Sequence, residues 1–150
     1  MNVTRFLLVL ALALWLGGII FFAAIGAPAV LHFVADRTVV GAIINQSVSK
    51  LHWMGVGCGA AYLIFSFLVP SSGRREPKSW TAPRIVLLVM IALALASQLA
   101  VLPAMAVLRG ATDPALVNKF ARLHYWSVGL EVSTLALGLI ALYQTVKRLA

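Results

Sequence analysis

The segment RLHYWSVGLE, residues 122–131, carries ionisable side chains at the start of a long apolar run. On a helix with about 100° per residue, His124 and Glu131 point within about 20° of each other. Ser127 and Thr134 lie within about 80° of the same line. The spacing predicts a polar ribbon on one helix face. Because a carboxylate in hydrocarbon costs several kcal/mol, this face should point into a helix bundle.

Glu131 should lie about 10 Å inside a membrane whose outer boundary is at His124, given a rise of about 1.5 Å per residue. No Lys or Arg falls at that depth on another predicted span. Since burial penalises a charged carboxylate, we expect Glu131 either to stay protonated or to hold a cation. The alternative to such a functional site is a neutral Glu131 whose hydrogen bonds lock the bundle.

Two prolines interrupt other apolar runs of the sequence. A proline inside a helix frees the carbonyl four residues earlier, which for Pro28 and Pro103 is that of Ala24 and Leu99. We expect both carbonyls near the depth of Glu131, an arrangement that resembles the ion sites of small transporters. The predicted pocket consists of Glu131, His124, Ser127, His52, Pro28 and Pro103.

Three histidines, His32, His52 and His124, are predicted at the same outer end of the bundle. Converging imidazoles could bind a metal ion or haem iron, or titrate near neutral pH. Histidine is also an ordinary residue of membrane interfaces, and no cofactor follows from the sequence. The candidate metal ligands are His52, His124 and Glu131.

The single cysteine, Cys58, excludes an intramolecular disulfide and a Cys-x-x-Cys site. It points about 120° away from His52 on a helical wheel, so we interpret it as a packing residue. Gly55 and Gly59 allow close helix approach, either within the chain or in a homo-oligomer. The sequence contains no nucleophile triad, phosphate loop or zinc motif, which counts against a hydrolase or an ATP-driven pump.

The composition indicates that these residues belong to a protein embedded in a lipid bilayer. Hydrophobic residues make up 62% and charged residues 11%, against roughly 25% charged in soluble domains. A soluble protein could not hide so much apolar surface, so the expected partner is the lipid bilayer. The net charge of +8 comes from basic residues between apolar runs. This distribution is typical of contact with lipid headgroups rather than with nucleic acid.

Four apolar runs each reach roughly the 20 residues that a helix needs to cross hydrocarbon. The runs are approximately 6–31, 51–69, 85–108 and 123–143. The first is longer than a signal-peptide core of about 7–15 residues. Segments 36–50 and 113–122 should lead into the second and fourth helices as amphipathic outer stretches. We therefore predict one all-α domain over 1–150, an antiparallel bundle of four transmembrane helices.

An even number of spans places both termini and the 70–84 loop on one side. Basic residues are more frequent on that side, which the positive-inside rule assigns to the cytoplasm of a plasma or bacterial inner membrane. They are Arg5, Arg74, Arg75, Lys78, Arg84, Lys147 and Arg148, against Arg37, Lys50, Arg109, Lys119 and Arg122 on the other side.

Four short motifs lie in the first and fourth predicted helices and in the segments that lead into the second and fourth. They are Trp15-x-Gly17-Gly18, Ala27-Pro28, Arg37-x-x-x-Gly41, and Phe120 followed by His124 and Ser127. Together these motifs resemble the transmembrane protein 205-like family, a domain of unknown function. The resemblance implies a four-helix membrane protein and favours His124 over His32. Glu131 departs from the family pattern, where Asn is more usual. The eukaryotic member is associated with platinum-drug resistance, which implies metal or drug handling.

The leading hypothesis is handling of a cation, proton, metal or small solute through a polar pocket in the outer half of the bundle. Glu131 would carry the charge, and His124 and His52 would act as gate or ligands. One alternative is a haem-dependent membrane oxidoreductase with histidine ligands. The other is a non-catalytic helix-packing or assembly protein. Whether the chain is an enzyme stays open.

Overall fold

Four long helices make up the described part of the chain. The computed structural model describes residues 3–68 and 81–149, so most of the predicted 70–84 loop lies outside the described residues. The helices are α1 (Val3–Phe33), α2 (Arg37–Leu68), α3 (Thr81–Val107) and α4 (Pro114–Leu149). Each is long and apolar enough to cross a membrane. The prediction of an all-α, four-helix membrane fold is confirmed.

Helices α2 and α4 include the two segments that the sequence predicted as amphipathic, without a break. Side-chain caps explain where both helices begin. Asp36 Oδ1 accepts a hydrogen bond from the Thr38 N–H at 2.8 Å, and Asp113 Oδ1 accepts one from the Ala115 N–H at 2.8 Å. Pro114 suits the first turn because its missing N–H would have had no partner there.

Each helix packs beside two others. α1 lies against α2 and α4, and α3 also lies against α2 and α4, so α2 and α4 face each other diagonally across the bundle. The core is centred on fully buried Trp15, Tyr62, Leu87 and Met90. In lipid such packing stabilises by van der Waals contact rather than by removal of apolar surface from water.

The glycines of the G-x-x-x-G motif are used inside this chain. A Cβ added at Gly55 would overlap the indole of Trp15 on α1. One added at Gly59 would lie 2.8 Å from Cγ1 of Ile91 on α3. The two glycines therefore allow α2 to approach both of its neighbours closely.

Helices α1 and α3 share a local irregularity. Each contains a five-residue π-helical turn, Phe22–Gly26 in α1 and Ser97–Val101 in α3. Both turns end shortly before a proline, Pro28 or Pro103, whose ring would collide with the carbonyl of a regular preceding turn. The wider turn makes room for the ring. Such π-helical turns are frequent at functional sites.

The first π-helical turn marks the point where α1 leaves α4. Residues Val3–Phe21 pack closely against α4, whereas Phe22 to Phe33 make few close approaches to it. The resulting space lies at the end of the bundle that carries the 34–36 and 108–113 connections. We name this the far end, because it is opposite the chain termini.

Candidate functional site

A buried ionisable pair connects the two diagonal helices. His52 of α2 is only 3% exposed, and its Nε2 contacts Oε1 of Glu131 on α4. The side chain of Glu131 is 22% exposed. The sequence predicted both residues in one pocket but did not pair them. His52 is the basic counterpart that the search for Lys and Arg could not find.

The other ring nitrogen of His52 restricts the protonation of the pair. Nδ1 lies 3.3 Å from Gln98 Oε1, and Gln98 Nε2 donates to Ser49 Oγ at 2.9 Å. Since this places the amide oxygen toward the ring, Nδ1 carries a proton and donates it. Nε2 and Glu131 then share one further proton, on either atom. The pair is neutral as a unit, as histidinium with carboxylate or as imidazole with carboxylic acid.

A cavity of about 500 Å³ opens beside Glu131, between the far ends of the four helices. Pockets that hold drug-sized ligands measure roughly 300–1,000 Å³. Its lining is predominantly apolar. The polar and charged side chains that line it are Asn45, Arg109, His124, Ser127 and Glu131.

The cavity reaches the side of the bundle between α1 and α4. Three of its lining residues are substantially exposed there, Leu31 at 48%, Val128 at 46% and Val132 at 59%. On a membrane-spanning bundle these side chains face the hydrocarbon layer. We infer from these exposed lining residues that the cavity opens laterally between α1 and α4, where a lipid-soluble molecule could enter.

Four of the six predicted pocket residues belong to this site. Glu131, His124 and Ser127 line the cavity, and His52 lies behind Glu131. His124 is exposed at the rim. Thr134, which the ribbon also included, is buried and donates to the Leu130 carbonyl at 2.8 Å, so it is a packing residue.

The two predicted pocket residues that lie elsewhere are the prolines. Pro28 and Pro103 are exposed and line no part of the cavity. Ala24 and Leu99, whose carbonyls were expected beside Glu131, are also exposed. Each helix is rotated so that its proline faces away from the centre of the bundle. Each proline affects the cavity through the π-helical turn that precedes it.

The histidines do not all converge. His32 is exposed and stacks edge-on against Phe33, with 4.8 Å between ring centroids. Within residues 3–68 and 81–149, no three His, Cys, Asp or Glu side chains are grouped so that they could hold a metal ion. The metal site of His52, His124 and Glu131 stays a prediction. Two of these three side chains, His52 and Glu131, contact each other.

Sequence reasoning missed three contributors, Gln98, Ser49 and Arg109. A glutamine inside an apolar span was a visible signal, because an amide in hydrocarbon needs a partner. Arg109 was interpreted only as a determinant of topology, yet it lines the cavity. It lies over Gly41, where an added Cβ would be 3.2 Å from the Arg109 Nε.

Comparison with known proteins gives a family without an assigned activity. The model of a family described as a domain of unknown function, DUF4149, matches residues 10–114. The chain therefore belongs to the DUF4149 family. The matched range includes His52, Gln98 and Arg109 and ends before His124 and Glu131. No curated protein and no solved structure matches the chain.

Proposed function

We propose that this DUF4149 membrane protein binds a small, largely apolar solute in the far-end cavity and couples binding to protonation of the His52–Glu131 pair. The observation that carries the proposal is an ionisable pair, with His52 buried and Glu131 partly buried, in the wall of a large apolar cavity. Ionisable residues inside a membrane span commonly mark proton relays or substrate paths. The large apolar lining favours a solute over a bare ion.

The coupling follows from the charge of the pair. With its shared proton the pair is neutral, which is compatible with an apolar molecule beside Glu131. A second proton, on the carboxylate of the ion pair, leaves a net positive charge that needs water. An apolar solute displaces that water, so its binding should expel the extra proton. Acidification should therefore weaken solute binding.

Other titratable groups around the cavity have to be separated from this effect. Those that line it are Arg109, just beyond α3, and His124 from α4, with no titratable lining residue among those described in α1. Arginine stays charged throughout the working range of pH. His124 is exposed at the rim, in contact with water. The His124→Gln variant is therefore a necessary control.

The test measures binding of Nile red, a neutral apolar dye, to protein in zwitterionic nanodiscs, with empty nanodiscs as background. We expect its affinity to fall on acidification by up to about tenfold per pH unit, the limit for one linked proton. Glu131→Gln should alter this dependence, because His52 then faces an amide that takes up no proton. Tyr62→Phe, which deletes a buried hydrogen bond between the same two helices, should retain it.

Three results would count against the proposal. The first is a wild-type affinity that does not change with pH, and the second is a Glu131→Gln variant with the same pH dependence as the wild type. Either would favour the assembly role, in which the pair only holds α2 and α4 together. The third is a His124→Gln variant that loses the pH dependence, which would assign that dependence to His124.

Membership of the transmembrane protein 205-like family is a further proposal. The resemblance to that family, with its association with platinum-drug resistance, agrees with handling of small solutes.

The orientation in the membrane is a separate proposal. We further infer from the excess of basic residues that the termini face the cytoplasm. After Cys58→Ala substitution, a single cysteine placed near Arg5 should resist an impermeant maleimide in intact cells. Labelling at that position would reverse the orientation.

A further inference from the structure

A second, smaller cavity of about 270 Å³ adjoins the main one at the far end. It is lined by two arginines, Arg37 from the start of α2 and Arg109 from just beyond α3. Gly41, Arg109 and Phe120 line both cavities. We call this smaller cavity the cationic recess. Arg109 therefore lies between the cationic recess and the apolar main cavity.

Neither arginine is compensated by an acidic side chain in the described part of the chain. The acids at this end, Asp36 and Asp113, each use a carboxylate oxygen to cap a helix. The Nε of Arg109 is buried and has no hydrogen-bond partner among the described residues. A buried donor without an acceptor carries the full desolvation penalty, so the site is arranged for an acceptor that a ligand would supply.

The Arg37-x-x-x-Gly41 motif gains a physical explanation from this arrangement. Four residues apart on α2, Arg37 and Gly41 share one helix face. Gly41 leaves room for the Arg109 side chain, since a Cβ there would lie 3.2 Å from Arg109 Nε, a tight contact. The glycine thus lets the second guanidinium lie on the same side of the recess as the first.

We propose that the two cavities together bind one amphiphile of the bilayer, an anionic carboxylate or phosphate on an apolar chain. Its head group lies between Arg37 and Arg109, and its chain occupies the main cavity. This inference rests on the proposed function for the use of the main cavity as a solute site. It adds the chemical class of the solute and its orientation.

Charge and shape both support this occupant. Arginine is well suited to bidentate contact with carboxylate and phosphate. The His52–Glu131 pair is neutral as a unit, so the deeper part of the cavity accommodates an uncharged chain. The lateral opening between α1 and α4, bordered by Leu31 and Val132, gives a route from the acyl layer.

The test compares two probes that differ only in the head group, cis-parinaric acid and its methyl ester, at a fixed pH at which the acid is ionised. Protein is reconstituted in zwitterionic nanodiscs, and polyene fluorescence reports binding. We expect the acid to bind at least about tenfold more tightly than the ester, as charge-assisted hydrogen bonds require. Arg109→Gln should remove this preference. Arg122→Gln, the same change at an exposed position of α4 outside both cavities, should keep it.

Equal affinity of wild-type protein for acid and ester would overturn the inference without any variant. An Arg109→Gln protein that elutes as a folded species and still prefers the acid would overturn it as well. Inorganic phosphate and an anionic phospholipid serve as competitors. Displacement of the acid by the phospholipid supports a bilayer source, whereas displacement by phosphate alone means a site for a free anion and contradicts the proposal.

This experiment separates the inference from the proposed function. Glu131→Gln should retain the preference for the acid, because the head-group site lies at the other end of the cavity. Wild-type protein that prefers the acid but binds Nile red independently of pH would support the amphiphile and reject proton coupling. Wild-type protein that lacks the preference but binds Nile red in a pH-dependent way would do the opposite.

Discussion

His52 on α2 contacts Glu131 on α4 across the diagonal of the bundle, and a second pair spans the same diagonal toward the termini. There Tyr62 donates to Thr145 Oγ1 at 2.6 Å, and Thr145 in turn donates to the Ala141 carbonyl at 2.7 Å. Tyr62 and Thr145 are both fully buried. The two pairs join the same helices, and the ionisable one borders the far-end cavity, whose lining includes neither Tyr62 nor Thr145. A role in holding α2 and α4 together does not by itself explain why the ionisable pair lies beside that cavity.

The two diagonal pairs should differ in how they respond to loss of one member. Tyr62→Phe should cost about 1 kcal/mol of unfolding free energy, because Thr145 keeps its bond to the Ala141 carbonyl. Glu131→Leu should cost about 1–3 kcal/mol, because His52 is left with a buried, unpaired Nε2. Glu131→Gln retains a polar partner and should lie close to the wild type.

Equilibrium unfolding of purified protein in mixed micelles, followed by circular dichroism, gives these differences. A Glu131→Leu variant as stable as the wild type would mean that the pair contributes no net stabilisation. A Glu131→Gln variant that unfolds as readily as Glu131→Leu would mean that Gln cannot replace the carboxyl group as a partner of His52.

The close approach of α1 and α2 should depend on Gly55. Adding a Cβ at Gly55 would overlap the Trp15 indole, and overpacking typically costs about 1–3 kcal/mol. Gly57, half a turn away, meets nothing within 4 Å, and alanine is the better helix former. Gly55→Ala should therefore lower the thermal unfolding temperature, and Gly57→Ala should not. Equal effects of the two substitutions would contradict this packing.

The helices could be predicted from the sequence, whereas the contacts between them could not. Apolar runs of membrane-spanning length leave helices as the natural form, and the segments 36–50 and 113–122 were expected to lead into α2 and α4. The wheel of α4 placed His124, Ser127 and Glu131 on one face, and all three line the cavity. It could not say which residue of another helix would face Glu131, because rotation and register between helices depend on packing such as that of Trp15 on Gly55.

The prolines illustrate a second limit of sequence reasoning. Freed carbonyls at Ala24 and Leu99 followed from the geometry of a regular helix. The chain instead widens into π-helical turns, which shifts the residues that follow around the axis. The cavity is then lined by Phe22 and Ala23 of α1 rather than by the proline. A local response of the backbone therefore altered which residues face the site.

Gln98 should determine the tautomer of His52. In the wild type its carbonyl oxygen accepts from Nδ1–H, so nitrogen-15 NMR of histidine-labelled protein should show a protonated Nδ1. Gln98→Leu removes that acceptor, and the ring should then populate the Nε2–H tautomer that donates to the carboxylate. Ser127→Ala, at a cavity residue with no bond to His52, is the control. An unchanged Nδ1 signal in Gln98→Leu would show that the glutamine does not set the proton position.

The lateral opening should control how fast a lipid-soluble ligand enters. Val132 borders the opening on α4, so Val132→Trp should slow both association and dissociation of methyl parinarate several-fold, while the equilibrium affinity changes little. The reason is that the indole narrows the route without removing contacts deep in the cavity. Ile140→Trp places the same group on the exposed surface of α4 outside the cavity and should leave both rates unchanged. Stopped-flow fluorescence in nanodiscs measures these rates. Identical kinetics in the two variants would mean that ligands enter from the water at the far end, past His124, rather than from the bilayer.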